Sequence, residues 1–243
     1  MPAAPAIAIR EPITRTAPGN PKSLQGKSGL HEVAQTGTLC PHERSAIAMK
    51  SNILILDGHP DPSDDRLVHA LVDAYRRGAE QSNHEVRIVR LADMTFPLLR
   101  SQSDYERGEP VEAVRQCQHL MEWATHVVIF YPLWLGSMPA MLKALLEQMF
   151  RPGFAFSTKK LGRWPVKFLS GKSARIVVTM GMPAFIYRWY FRAHSLRSLQ
   201  RNILKFVGFR RVRSTIIGGA GSMTRAQRED WLNDVRRLGE AAA

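Results

Sequence analysis

Two short loops carry most of the groups in this chain that could do chemistry. Gly58-His59-Pro60-Asp61-Pro62-Ser63-Asp64-Asp65 follows an apolar run, Asn52–Asp57, and leads into a helical pattern. It offers an imidazole, one hydroxyl and a helix start, whose free N–H groups attract an anion such as a phosphate. Asp64 and Asp65 stand in the same loop. Desolvated beside a phosphate they would repel it by some kcal/mol. Pointed outward they would instead cap the helix, with Arg66 to offset them. The second loop is Pro132-Leu133-Trp134-Leu135-Gly136-Ser137. It leaves Val127–Tyr131, a β-branched and aromatic run of strand length, and feeds a helix over about 138–150. Ser137 is placed to cap that helix, Pro139 is tolerated in its first turn, and Pro152-Gly153 stops it. A loop at the carboxyl end of a strand is where open α/β sheets bind their ligands.

Five strand candidates must position these loops: Asn52–Asp57, Glu85–Arg90, His126–Tyr131, Arg175–Thr179 and Val212–Ile217. Helical patterns fall at about 65–82, 110–124, 138–150, 188–206 and 225–238, the last opened by Thr224-x-x-Gln227, a capping-box pattern. Apolar strands alternating with helices predict an α/β fold whose five-stranded parallel sheet carries helices on both faces. With strand order 2-1-3-4-5, the ligand crevice lies between strands 1 and 3, where both loops meet. The connection over 151–173 is long, which marks a functional loop.

Residues 1–48 are rich in Pro, Ala, Ser, Thr and Gly and show no sustained period, so they read as a disordered N-terminal extension or as sequence upstream of the natural start. No apolar segment there suits a signal peptide, and an organelle-targeting segment is the remaining alternative. The domain is expected over 49–243, opening at Met49-Lys50-Ser51. Limited proteolysis should trim the chain to about Met49, and early cutting within 60–240 would overturn that boundary.

Only Cys40 and Cys117 are present, so no disulfide framework exists and a reducing cytoplasm fits. No run reaches the roughly 18 apolar residues that span a membrane. The formal net charge is +13, and no Asp or Glu stands between Glu147 and Glu229. Arg188, Arg192, Arg197, Arg201 and Lys205 recur at helical spacing beside an apolar stripe of Leu196, Leu199, Ile203 and Phe206. Three readings stay open: a solvated face; a face for anions, either the 2′-phosphate of NADPH or an anionic membrane surface; and nucleic acid, which is not expected because no recognition motif accompanies the charge.

The stretch VVIFYPLWLGSMPAMLKALLEQMFRPGFAF, residues 127–156, resembles the flavin loop of the flavodoxin-like NAD(P)H:quinone oxidoreductases. Pro132-Leu133, Pro139-Ala140, Leu142-Lys143 and the Phe150-Arg151-Pro152-Gly153-Phe154 exit carry the likeness. The resemblance implies a flavin packed along the backbone of Pro132, Leu133, Trp134, Leu135 and Gly136. It implies that His59, Ser63 and the backbone about Asp65 and Leu67 hold the flavin phosphate. Thr179, Met180 and Gly181 match a turn that supports the far side of the ring. Tyr187 stands eight residues after that Thr, where relatives place a hydrogen-bond donor. The proton-handling His of relatives falls at Ala193, with His194 one position on. FMN is the implied cofactor and FAD the second choice, with NAD(P)H as donor, a quinone-like acceptor, a homodimer and no metal site. The competing reading is a non-catalytic module of the same fold, a regulator or electron carrier with weak flavin binding.

Overall fold

The computed structural model describes residues 50–161 and 164–243. The extension expected over 1–48, Cys40 included, lies outside the described residues. In chain order the elements are β1 (Asn52–Asp57), α1 (Leu67–Gln81), β2 (Glu85–Arg90), α2 (Gln102–Arg107), α3 (Glu112–Trp123), β3 (His126–Pro132) and α4 (Ala140–Met149). There follow β4 (Phe156–Leu161), β5 (Trp164–Lys167), β6 (Ser173–Thr179), α5 (Ala184–Trp189), α6 (His194–Ser198), a π-helical turn over Leu199–Leu204, α7 (Lys205–Val207), β7 (Arg211–Ile217) and α8 (Arg225–Glu240).

The main sheet runs β2-β1-β3-β6-β7, and all four pairings are parallel. This is the expected 2-1-3-4-5 order, with β6 and β7 as the fourth and fifth strands. The long 151–173 connection contains an antiparallel hairpin, β4–β5, that the sequence reading leaves as loop.

Strand alternation explains why both faces need cover. Leu54 and Leu56 of β1 face one way and pack with Ile129, Tyr131, Leu142 and Met121. Ile53 and Ile55 face the other way and pack with Val128, Phe130, Leu71 and Tyr75. The first layer is covered by α3 and α4, the second by α1 and α8. Cys117 sits in the first layer, and burial pushes its thiol up to about 12, so it is an inert core residue. The capping box at Thr224 forms as expected, with Gln227 N donating to Thr224 Oγ1 at 3.2 Å and Thr224 N to Gln227 Oε1 at 3.0 Å.

Helices α1 and α8 touch backbone to backbone, and two glycines allow it. A Cβ on Gly78 would lie 2.0 Å from the Arg236 carbonyl oxygen, and one on Gly239 would lie 2.1 Å from that of Tyr75. Neither approach tolerates a methyl group without moving a helix. Gly→Ala in a helix interior ordinarily gains about 1 kcal/mol from propensity alone. Gly78→Ala and Gly239→Ala should instead lose about 1–3 kcal/mol each through overpacking. Urea unfolding monitored by circular dichroism measures this, and a stability gain in either variant would contradict the close approach.

Candidate functional site

The first strand ends under its neighbours. Gly58 N donates to the Phe130 carbonyl at 2.7 Å, and a Cβ on Gly58 would meet that oxygen and Leu142 at 2.7 Å. The chain must therefore turn out of the sheet at Gly58. It does so in a loop closed by its own side chains. His59 N donates to Asp57 Oδ1 at 3.3 Å, Asp61 N to His59 Nδ1 at 3.1 Å and Ser63 N to Asp61 Oδ1 at 2.9 Å. The Ser63 hydroxyl donates to Asp65 Oδ1 at 2.5 Å.

The carboxylates are matched by cations. Arg66 Nε lies 2.8 Å from Asp61 Oδ2 and 3.7 Å from Asp65 Oδ1, while Arg90 lies 3.3 Å from Asp64 Oδ1 and 3.9 Å from Asp57 Oδ2. Asp64 and Asp65 point to solvent. Hydrogen bonds from Ser63, with Arg66 behind them, hold Asp61 and Asp65 below the usual carboxylate range. Neither Asp64 nor Asp65 caps α1, in contrast to the expectation. Its N-cap is Arg66, which makes no side-chain capping bond.

His69, in the first turn of α1, is buried and ties this loop down. Its Nδ1 lies 2.5 Å from Asp57 Oδ2 and its Nε2 lies 2.8 Å from the Asp61 carbonyl. A carbonyl can only accept, so Nε2 carries a proton, and the carboxylate holds a second proton on Nδ1. The bond to Asp57 accordingly raises the His69 pKa above its ordinary value. His59, with its ring centroid 5.3 Å away, moves oppositely: burial first, then the His69 charge, lower its pKa. His59 is thus a neutral imidazole whose Nδ1 accepts from Asp61 N, leaving the proton on Nε2.

The third strand ends in a tight two-residue turn. Trp134 N donates to Ser137 O and Ser137 N to Trp134 O, both at 2.9 Å. Leu135 (φ 44°) and Gly136 (φ 76°) between them are both left-handed. Glycine adopts this conformation freely, whereas leucine stores about 1–3 kcal/mol in it. The turn leaves the Leu135 side chain fully exposed and Trp134 half exposed, edge-on to His59 with ring centroids 5.7 Å apart. Ser137 therefore closes a turn rather than capping α4, whose N-cap is Pro139. Leu133 N donates to Thr179 O at 2.7 Å, and Pro132 is in register with Thr179. Met180 N donates to Ile217 O at 2.9 Å, and open space lies beside Gly181.

So His59, Pro132, Leu133, Trp134, Leu135, Gly136, Thr179, Met180 and Gly181 gather at one carboxyl edge of the sheet. Leu67 is there too: the amides of Leu67 and Val68 open α1 with no acceptor among the described residues. Two expected residues have partners within the chain. Both donors of Ser63, amide and hydroxyl, are engaged by Asp61 and Asp65, so Ser63 shapes the loop and has none left for a phosphate. Tyr187 is buried, and its hydroxyl lies 2.7 Å from Ser195 Oγ and accepts from Leu196 N at 3.2 Å, within the corner between α5 and α6. His194 is exposed on the first turn of α6. Asp57, His69 and Arg90 escape the sequence reading. The available signal is an acid closing β1 and a histidine among the buried positions of the helix that follows.

A profile of the family described as Flavodoxin-like fold matches residues 51–238. The chain belongs to that family. The flavodoxin-like chain is also 28% identical over 154 residues to a ribosyldihydronicotinamide dehydrogenase-like protein, traD, of Penicillium crustosum. That match covers 53% of this chain and 57% of the relative, so the chain spans little more than half the relative's length. The NAD(P)H:quinone oxidoreductase of Methanothermobacter marburgensis superposes with a TM-score of 0.66 at 24% identity, covering 79% of this chain and 96% of the other. An FMN-dependent NADH-azoreductase of Bacillus anthracis, solved with FMN, gives 0.64 at 14% identity, covering 78% and 97%.

The residues present fit a flavin. The unpartnered amides of Leu67 and Val68 and the Nε2 proton of His59 are donors for a phosphate, and the loop carboxylates are already paired with Arg66 and Arg90. The left-handed turn and the open space at Gly181 offer backbone to a flat ring. No cluster of His, Cys, Asp and Glu suited to an ion occurs among the described residues.

Because the pKa of His69 is raised, its bond to Asp57 stabilises the fold fully below about pH 6.5, the unfolded value. That contribution is lost as pH rises through the raised folded value. His69→Gln should lower stability at pH 6 by roughly 1–3 kcal/mol and flatten the decline toward alkaline pH. Urea titrations across this range test it; an unchanged pH profile in the variant would show that His69 is not the group that titrates.

Proposed function

We propose that the protein is a flavin-dependent NAD(P)H oxidoreductase acting on a quinone or a related flat acceptor, with FMN as its cofactor and FAD as second choice. The observation that carries this reading is that the start of α1, with its unpartnered amides, and the left-handed Trp134–Ser137 turn meet at one sheet edge, where His59 and Trp134 stand edge-on with ring centroids 5.7 Å apart. A bound flavin supplies two-electron chemistry, taking hydride equivalents from a nicotinamide and giving them to the acceptor.

The chain's own residues bind, orient and exclude water. The amides of Leu67 and Val68, with the positive end of the 15-residue α1, attract the phosphate. His59 donates from Nε2 in its neutral form and so adds a hydrogen bond at that end without a further charge. Pro132 has no N–H, and those of Leu133 and Trp134 are engaged by Thr179 O and Ser137 O, so Leu135 and Gly136 carry the amides of this turn that would be free to stabilise negative charge on a reduced ring. Trp134 supplies a planar wall for a planar acceptor. Donor and acceptor are proposed to use this one edge in turn, in a ping-pong order. The exposed apolar rim of Trp134 and Leu135 favours a homodimer in which a second copy completes the wall, and the scarcity of cysteine favours the cytoplasm. His194 is proposed as a proton-handling group, and Tyr187 either as a donor into the site or as a positioning residue for α6.

The alternative, a non-catalytic carrier or regulator, draws on the engaged donors of Ser63, which leave a smaller phosphate cradle. Purification with a yellow chromophore, identified by acid release and chromatography, supports the enzyme; a protein that stays colourless with added FMN and FAD removes it. Tyr187→Phe then separates the two roles of that tyrosine. Turnover slower by a factor of about a hundred, with flavin retained, marks a transition-state donor. A stability loss of about 1 kcal/mol with turnover unchanged marks a corner residue only.

A further inference from the structure

Beyond that reading, and independent of it, the segment after β6 presents a surface of its own. Phe185, Trp189 and Tyr190 are exposed to 69%, 89% and 78%, and Phe191 to 45%. Phe185 and Trp189 are four residues apart in α5 and so share a face of the helix. Tyr190 and Phe191 meet edge to face with ring centroids 5.0 Å apart. Between and beside them stand Arg188 and Arg192, both exposed, and neither forms an ion pair among the described residues. Four large aromatic side chains and two free cations thus lie within eight consecutive residues.

This prow is held rigidly. Tyr187 plugs the core from the inner side of α5, and its hydroxyl ties the helix to Ser195 and Leu196. Arg192 and Ala193 are both left-handed, at φ 49° and 47°, and turn the chain sharply into α6. Continuing past the corner, Arg197, Arg201 and Lys205 line an open cleft of about 250 Å³ with Gln200 and Val212, and no carboxylate is among them. Like charges four apart on a helix oppose each other unless an anion sits beside them.

We infer that this face docks on an anionic lipid bilayer, with the aromatic side chains of α5 in the headgroup zone and the arginines on acidic headgroups. Exposed Trp and Tyr beside Arg is the composition that settles at a membrane interface. The charge complementarity is one-sided, because no Asp or Glu occurs between Glu147 and Glu229. A second copy is the weaker occupant. A two-fold contact through this segment would set one basic, acid-free patch against its copy, with no carboxylate of the segment to receive Arg188 and Arg192. No helix among the described residues is long and apolar enough to cross a membrane, so the contact is peripheral.

The test uses the full chain and vesicles of phosphatidylcholine with or without phosphatidylglycerol. Sedimentation should carry the protein down with the anionic vesicles only, and salt should release it. Arg188→Gln with Arg192→Gln should lower the partition coefficient by roughly thirtyfold at low salt, at about fivefold per charge. Arg210→Gln with Arg211→Gln, the same charge change elsewhere, should lower it by clearly less. Brominated acyl chains should quench the wild-type fluorescence, and Trp189→Phe should abolish most of that quenching, a readout that needs only a conservative variant. Absence of vesicle binding, equal losses from both arginine pairs, or quenching that survives Trp189→Phe would each overturn the inference. So would a dimer that shields Trp189 from an aqueous quencher and ignores vesicles.

Discussion

The contact between Asp57 and His69 governs the site edge. The acid closes the first strand, and the histidine stands in the first turn of the helix that must start beside it. Their 2.5 Å bond, with the second bond from His69 Nε2 to the Asp61 carbonyl, fixes where α1 begins relative to β1. The amides of Leu67 and Val68 therefore open at the sheet edge rather than elsewhere. A buried carboxylate without a partner would be strongly unfavourable in this position, and a buried cation equally so. Each makes the other tenable, and together they leave His59 neutral beside them. Two imidazoles in neighbouring environments are thus driven to opposite protonation states, one structural and one available to a ligand.

The rest of the edge follows from parallel register. Pro132 pairs with Thr179, so β3 and β6 end level, while Asp57 pairs with Phe130 and β1 ends two residues short of them; their loops meet at one edge. Gly58 passes where no side chain fits, which commits the first loop to leave toward α1. Proline at 132 and 139 keeps the second loop short and sends it into α4 without a side-chain cap. This edge consequently presents backbone amides and the flat side chains of His59 and Trp134. The charge sits one layer out, in Arg66 and Arg90, where it offsets the loop carboxylates.

Much of this was legible before any coordinates. The apolar runs mark all five strands of the sheet, the βα alternation makes it parallel, and five such strands suit the order 2-1-3-4-5. The two ligand loops were readable because strand, Pro/Gly punctuation and helix succeed each other within a few residues. What escaped has physical reasons. The helix read over 188–206 is broken at Arg192 and Ala193, which carry no Gly or Pro to announce a left-handed turn. The β4–β5 hairpin has little hydrophobic alternation to show. Ser63 looked like a phosphate donor because a hydroxyl in a loop is judged by its type, whereas its engagement by Asp65 depends on loop conformation. His69 read as one more position on a helical face, since sequence does not show which acid a buried histidine meets.

Strain is distributed to one purpose in this fold. The left-handed non-glycine residues around the sheet edge are Leu135 after β3, and Arg192 with Ala193 after β6. Each costs on the order of 1–3 kcal/mol and persists only where neighbouring bonds over-determine it. At Leu135 the restraint is the reciprocal pair between Trp134 and Ser137. At Ala193 it is the bond from its own N–H to Tyr187 O at 2.9 Å, the Arg197 N–H donated to its carbonyl at 2.9 Å, and the Tyr187 hydroxyl. In both places the strained turn lies next to large apolar side chains that solvent reaches: Trp134 and Leu135 in one, Trp189 and Phe191 in the other. A chain that sought only stability would relax these turns and bury those side chains. Holding them outward against both strain and the hydrophobic effect is sensible only where another surface, flat and apolar at its centre, meets them in use.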